Sequence, residues 1–188
     1  LSAQQKPTLS HVYIDAFAGA GVHESRTTGE EVDGSPRIAV ATDPPFRDYY
    51  LIDLNGARVD HLRAMFSANP AVHVFEGDCN QVMLNEVLPN VRWNQYRRGL
   101  CLLDPYGLHL NWNVIETCGQ SEAIDLFLNF PIADMNRNVF WRNPEGVDPA
   151  DITRMNAFWG DDSWRRVAYK SVPTLFGDME EKTDNETI

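Results

Sequence analysis

The sequence predicts an α/β domain with a mostly parallel sheet and helices on both faces. Two observations carry this. Five short apolar runs recur at residues 12–17, 49–53, 72–75, 100–104 and 124–129, and helix-like stretches separate them. The runs are near-continuous in hydrophobicity, as expected of strands covered on both faces, and strand–helix alternation implies crossovers between parallel neighbours.

Each element has its own local reason. The first run, Val12-Tyr13-Ile14-Asp15-Ala16-Phe17, leads into glycines. Residues 24–34 form a polar, Gly-containing insertion, longer than the usual strand-to-helix connection, and read either as a surface insertion or as a lid. Ser35-Pro36 supplies an N-cap and an N1 proline for a helix over 37–42. Residues 57–68 carry Val59, Leu62, Met65 and Phe66 at three- and four-residue spacing, which gives one buried face. Val82, Leu84, Val87 and Leu88 are less regular and stop at Pro89. A short helix over 112–119 presents Val114, Ile115 and Cys118. Beyond Pro131 the pattern turns helical, over 134–141 and 149–159. The reading is a single domain over 1–188, with a cofactor-binding core at 11–131 and a helical extension at 132–188.

Composition narrows the function classes. The chain has 188 residues, 43% hydrophobic and 23% charged, within the range of a soluble globular domain. No run is long enough to span a membrane, and residues 1–10 lack an apolar signal core. Cys79, Cys101 and Cys118 are scattered, which predicts a reducing, cytoplasmic compartment and no disulfide scaffold. The histidines do not pair with them at ligand spacing, so no metal site is expected. A net charge of −11 repels nucleic acid non-specifically, so contact with it would need absent regions, a partner, or a local patch such as Arg97 and Arg98. The first strand begins almost at once and residues 180–188 form a polar tail. Both ends look truncated, as in a fragment of a longer protein.

The chemistry-bearing residues stand where the strands end, the place where open parallel sheets bind ligands. Asp15-x-Phe17-x-Gly19-x-Gly21 allows a sharp turn and close backbone approach. The third glycine of a dinucleotide fingerprint is missing, because position 24 is Glu24. Asp15 ahead of the glycines suits a cationic group such as the amino group of a methionine moiety, and would repel pyrophosphate. Asp53, followed by Leu54, can accept hydrogen bonds from ribose hydroxyls. Asp78, beside Cys79, can accept from an exocyclic adenine amine, although Gly-Asp is also a common turn. Asp104-Pro105-Tyr106 fixes a carboxylate beside an aromatic ring, which suits a planar amine held in line with a methyl donor. A structural Asp-Pro turn is the alternative. Asn129, Phe130 and Pro131 would add an amide and a wall as substrate contacts, whereas helix capping equally explains Asp134, Asn136, Arg137 and Asn138.

In this order the strings resemble class I methyltransferases dependent on S-adenosylmethionine (SAM), which implies a Rossmann-like fold. The resemblance assigns Asp15, Phe17, Gly19, Gly21, Asp53, Leu54, Asp78 and Cys79 to the cofactor and Asp104, Pro105 and Tyr106 to catalysis. Enzymes acting on adenine N6 usually carry Asp/Asn-Pro-Pro-aromatic, and this chain has one proline, so the acceptor stays open between nucleobase and protein amines. A wider set of strings resembles the bacterial three-Cys-motif partner family: Tyr13-Ile14-Asp15-Ala16-Phe17-Ala18-Gly19, Gly34-Ser35-Pro36-Arg37, Leu103-Asp104-Pro105-Tyr106-Gly107, Leu128-Asn129-Phe130-Pro131, Met135-Asn136-Arg137-Asn138 and Arg154-Met155-Asn156. That resemblance implies a partner protein bearing a three-cysteine motif. The rival reading is a methyltransferase fold kept as a non-catalytic scaffold; a NAD-type oxidoreductase is disfavoured by Asp15 and Glu24.

Overall fold

The computed structural model describes residues 8–25, 27, 29–174 and 177–183. The chain runs β1 (Ser10–Asp15), β2 (Val22–Glu24), β3 (Glu31–Asp33), α1 (Ser35–Val40), β4 (Asp48–Asp53), α2 (Gly56–Met65), β5 (Val72–Glu76) and α3 (Cys79–Val82). It continues through β6 (Arg97–Leu103), α4 (Trp112–Gln120), β7 (Ile124–Leu128), α5 (Ile132–Asn138), α6 (Pro149–Trp159), α7 (Trp164–Ala168), β8 (Tyr169–Thr174) and β9 (Gly177–Lys182).

Five strands form one parallel sheet in the order β5-β4-β1-β6-β7, flanked by helices. Counted by appearance within that sheet, the order is 3-2-1-4-5, the Rossmann-like arrangement. The chain's direction of travel across the sheet reverses between β1 and β6, the position outside whose carboxyl ends open parallel sheets bind ligands. All five expected strands exist, within a few residues of their predicted bounds.

Burial follows position in the sheet. Val12 and Ile14 of β1, and Leu51 and Ile52 of β4, are fully buried, because these strands have neighbours on both sides. Tyr13, Tyr49, Leu51 and Leu62 share one core cluster with Ala18 and Ala39. The expectation of burial on both faces fails at β7, whose Asp125, Leu126 and Phe127 are exposed. Its apolar run marks an edge strand.

The insertion at 24–34 belongs largely to an antiparallel hairpin, β2 with β3, pairing Val22 with Asp33 and Glu24 with Glu31. Positions 26 and 28 lie outside the described residues. Helix α1 starts one residue earlier than expected: Gly34 is its N-cap, and Ser35 is free to bond elsewhere. Asn55 caps α2 by accepting from the backbone N–H groups of Ala57 and Arg58. The irregular stretch after Val82 is a π-helical turn, Met83–Val87, and a 3₁₀ turn, Leu88–Asn90. A wider turn explains why its apolar spacing fits no 3.6 period.

Contact density divides the chain into two compact units, residues 1–104 with 114–129, and residues 105–113 with 130–188. The first holds the sheet. The second packs Met135, Phe140, Met155, Phe158 and Trp164, with the Tyr169 hydroxyl donating to the carbonyls of Val139 and Trp141 at 3.2 and 3.0 Å. Trp164 Nε1 donates to Asn156 Oδ1 at 2.7 Å, which gives Asn156 a structural duty. The stretch expected to be helical throughout also contains the β8–β9 hairpin, registered from Tyr169 with Lys182 to Thr174 with Gly177. Of the polar tail at 180–188, residues 184–188 lie outside the described residues, as do 1–7 of the leading segment. Among the described residues, no helix is long and apolar enough to cross a membrane.

Leu62 joins α2 to the sheet and its Cδ2 reaches the glycine loop, so Leu62→Ala should destabilise the protein by about 2–5 kcal/mol. Urea unfolding checks this; a loss below about 1 kcal/mol would mean that α2 is not seated as described.

Candidate functional site

The carboxyl ends of the strands meet at the glycine loop that follows β1. Ala16 N–H donates to the Leu102 carbonyl at 3.1 Å and Ala18 N–H to the Ile52 carbonyl at 2.9 Å. The loop therefore bridges β6 and β4 across the end of β1. Gly19 and Gly21 both take left-handed φ, +64° and +77°, which a side chain would resist. Gly34 N–H donates to the Gly21 carbonyl at 2.9 Å, and a Cβ on Gly34 would sit 3.0 Å from that carbonyl. This close approach brings the start of α1 against the loop.

Asp15 ends β1 at 0% exposure. Its Oδ2 accepts from the Tyr13 hydroxyl at 3.1 Å and the Ser35 hydroxyl at 2.6 Å, and Oδ1 accepts from Phe17 N–H at 3.2 Å. Burial nevertheless holds its carboxyl above the usual range, and the nearby Asp104 charge pushes the same way; the three donors oppose. The Tyr13 phenol is raised too, by burial first and by Asp15 second. The expectation that Asp15 receives a cationic ligand group directly is thereby corrected. Buried and already supplied with donors, it holds the loop from behind.

Asp53 has the contact geometry that Asp15 lacks. Its Oδ2 accepts from Gly19 N–H at 2.9 Å and lies 3.6 Å from Arg58 Nη1, and Oδ1 accepts from Asn55 N–H at 2.8 Å. Each carboxylate oxygen accepts two hydrogen bonds, so capacity remains for a ligand hydroxyl on each. A Cβ built on Gly19 meets nothing within 4 Å, so the loop is open at that glycine, while Asp53 itself is 7% exposed. Leu54, the next residue, is 75% exposed.

Asp78 is exposed and accepts from Asn80 N–H at 2.8 Å as the N-cap of α3. Cys79 is buried, and burial, with the Asp78 charge second, pushes its thiol up to about 12, so it is no nucleophile at neutral pH. Gly77 N–H donates to the Asp53 carbonyl at 3.1 Å, which seats this turn beside β4.

Beyond the ends of β6 and β7, Asn129 Nδ2 donates to Asp104 Oδ1 at 2.7 Å, and Asn129 N–H to the Leu103 carbonyl at 2.8 Å. The pairing of these two predicted residues is real. Pro105, Tyr106, Phe130 and Pro131 belong to the second unit. Tyr106 is 93% exposed; Phe130 packs edge-on against Phe158, ring centroids 5.3 Å apart, which gives it a structural role. Asn138 Nδ2 donates to Asp134 Oδ1 within α5. Tyr13 and Ser35 were missed as site residues by sequence reasoning, because a hydroxyl at the first residue of a helix and a tyrosine mid-strand carry no signal until the fold joins them.

No family model matches the chain, and no curated protein does either. Among solved structures, it is similar to a Legionella pneumophila protein of family DUF519, at TM-score 0.51 and 13% identity, over 65% of this chain and 60% of that one. The chain thus spans less than two thirds of that protein's length. A conserved hypothetical protein of Streptococcus pyogenes aligns at TM-score 0.41 and 14% identity, over 65% and 66%. The Legionella likeness shows the fold alone.

The Asp15 cluster has a titration consequence. A carboxyl raised on folding contributes its stability below its unfolded pKa and loses it as pH rises through its folded one. Ser35→Ala removes a donor to the charged form, raises that pKa further and deepens the loss. The variant should therefore lose about 1–3 kcal/mol near pH 8 and distinctly less near pH 4, measured by urea unfolding across pH. A deficit independent of pH would remove the hydroxyl from this role.

Proposed function

We propose that the chain is a SAM-dependent methyltransferase that transfers a methyl group to an amine of a nucleobase or protein. The observation that carries the reading is the Asp53 carboxylate at the end of the second sheet strand, accepting from the N–H of Gly19, a glycine whose Cβ position is open. A ribose diol matches such a carboxylate, and the exposed Leu54 offers an apolar wall for a base. The residues present fit the cofactor at these positions, with Asp78 and the turn at Gly77 further along the same edge. Asp15 serves by holding the loop and Ser35 in place.

When bound, SAM supplies an electrophilic methyl group on a sulfonium. Displacement at sulfonium asks little covalent help of the protein, so holding the acceptor in line dominates. Asp104 keeps one oxygen on the Asn129 amide and offers the other to an acceptor N–H. That contact would orient the amine and take up the positive charge developing on it. Asp104 is the proposed catalytic residue. A working partner with a three-cysteine motif is supported by the resemblance of the sequence strings and by nothing further. The acidic chain suits a cationic cofactor end better than a polyanion.

Calorimetric titration with SAM, its demethylated product and NAD tests the cofactor half. SAM and its product should bind; Asp53→Ala should weaken binding at least about tenfold, as expected for loss of charged hydrogen bonds. NAD binding alone would sink the reading. Asp104→Asn should leave that binding intact and reduce transfer by about a hundredfold or more, scored as labelled methyl incorporated into nucleic acid or protein amines. Intact SAM binding with no transfer in any variant, wild type included, would favour a scaffold instead.

A further inference from the structure

The opposite end of the sheet holds a cavity of about 800 Å³, and the cofactor reading makes no use of it. It gathers the amino-terminal approaches to three strands: Leu9 ahead of β1, Phe46 ahead of β4, and Trp93 and Tyr96 ahead of β6. The length of β6 puts it roughly 20 Å from the carboxyl ends of the strands. Its wall is aromatic and cationic. The Arg98 guanidinium lies 3.4 Å over the Trp93 ring centre, and its Nη1 donates to the carbonyls of Trp93 and Arg97. Among the described residues, Nε and the other terminal nitrogen have no acceptor.

Two features mark this wall as more than a surface depression. Trp93 and Tyr96 are 55% and 62% exposed, although large rings are ordinarily sequestered. Tyr96 also takes a left-handed backbone, φ 55°, ψ 31°, a conformation unfavourable for a bulky residue. Its N–H donates to the Trp93 carbonyl and its carbonyl accepts from Ser10 N–H, so the strained turn is fixed by the fold. The local charge also departs from the rest of the chain. Residues 87–103 contain three arginines and no acidic residue, in a protein of net charge −11. Arg97 is committed to Asp48 and the Tyr50 hydroxyl, at 2.6 and 3.2 Å, which corrects the expectation that it is free for a polyanion. Arg98, with the exposed Arg92 beside Trp93 and Arg47 beside Phe46, supplies the available positive charge. Asp125 is the one acidic lining residue.

We propose that this cavity binds a segment of single-stranded nucleic acid, bases stacking on Trp93 and Tyr96 and a phosphate held by Arg98. Stacking tolerates any base because every base has a flat π-face, and an arginine on the aromatic adds a phosphate contact. Duplex is disfavoured, because its bases are already stacked and the surrounding acidic surface repels its dense charge. The inference rests on residues separate from the cofactor site and stands whether or not methyl transfer occurs.

The test is fluorescence anisotropy of the 188-residue chain with a short labelled oligouridine, an oligothymidine, a duplex of equal length, uridine monophosphate as competitor, and heparin. Either single strand should bind more tightly than duplex. Trp93→Ala and Arg98→Ala should each weaken it about tenfold. Arg98→Ala should also flatten the slope of log affinity against log salt by about 0.7, the signature of one lost phosphate contact. Trp93→Phe and Arg98→Lys should keep most of the ring and charge contributions, and unfolding curves would show that all four variants fold. Preference for RNA over DNA, or the reverse, is an outcome within the proposal. No binding of either strand, binding untouched by both alanine variants, duplex or heparin bound equally well, or the monophosphate competing as strongly as the strand would each overturn it.

Discussion

The arrangement depends on keeping a carboxylate buried at the end of the central strand. Asp15 has no contact with solvent, and a bare charge there would be costly, so donors must surround it. They come from three places: Tyr13 on the strand itself, Phe17 in the loop, and Ser35 at the start of α1. Satisfying one side chain therefore fixes the loop's path and the helix's entry together. The close passage of Gly34 against Gly21 follows, because Ser35 reaches Asp15 only if the two backbones nearly touch. On the loop's other side Asp53 takes the Gly19 N–H, and the glycines are held between two carboxylates.

That constraint gives the sheet two unlike ends. The carboxyl end carries Asp15, Asp53 and Asp104, whereas the amino end carries Arg98 stacked on Trp93, with Arg97 paired to Asp48. A net charge of −11 conceals this polarity, which is why composition alone argued against non-specific polyanion binding. Local fields, focused by aromatic and apolar walls, decide such contacts within about a Debye length, roughly 8–10 Å at physiological salt. The two ends lie roughly 20 Å apart along β6.

Much of the fold was legible because buried parallel strands print continuous apolar runs, and five were visible. Register to the sheet's edge was not: Leu126 and Phe127 look as apolar as Leu51 and Ile52, and only the absence of a neighbour strand beyond β7 separates them. The pairings of Asp53 with Gly19 and of Asp104 with Asn129 span 34 and 25 residues; the second was legible because each member directly follows a strand, whereas the first, made from a loop, was not. Ser35 was read as a cap because its own sequence context suits one. Its hydroxyl instead serves a carboxylate twenty residues away, a choice that the long-range packing of α1 makes. The β8–β9 hairpin follows a helix-rich stretch and has no alternating pattern strong enough to announce it.

The correction at Asp15 alters what the other carboxylates can do. Burial and the nearby Asp104 charge both push the Asp15 carboxyl up, and its three donors oppose them. Asp104, by contrast, is exposed. Asn129 completes the division: its main-chain N–H is anchored on the Leu103 carbonyl, so its amide meets Asp104 from a fixed position and orients that carboxylate. A carboxylate held through one oxygen presents the other in a defined direction. The acid that ends the central strand is therefore the buried support of the loop, and the acid that follows the fourth sheet strand is the one left exposed.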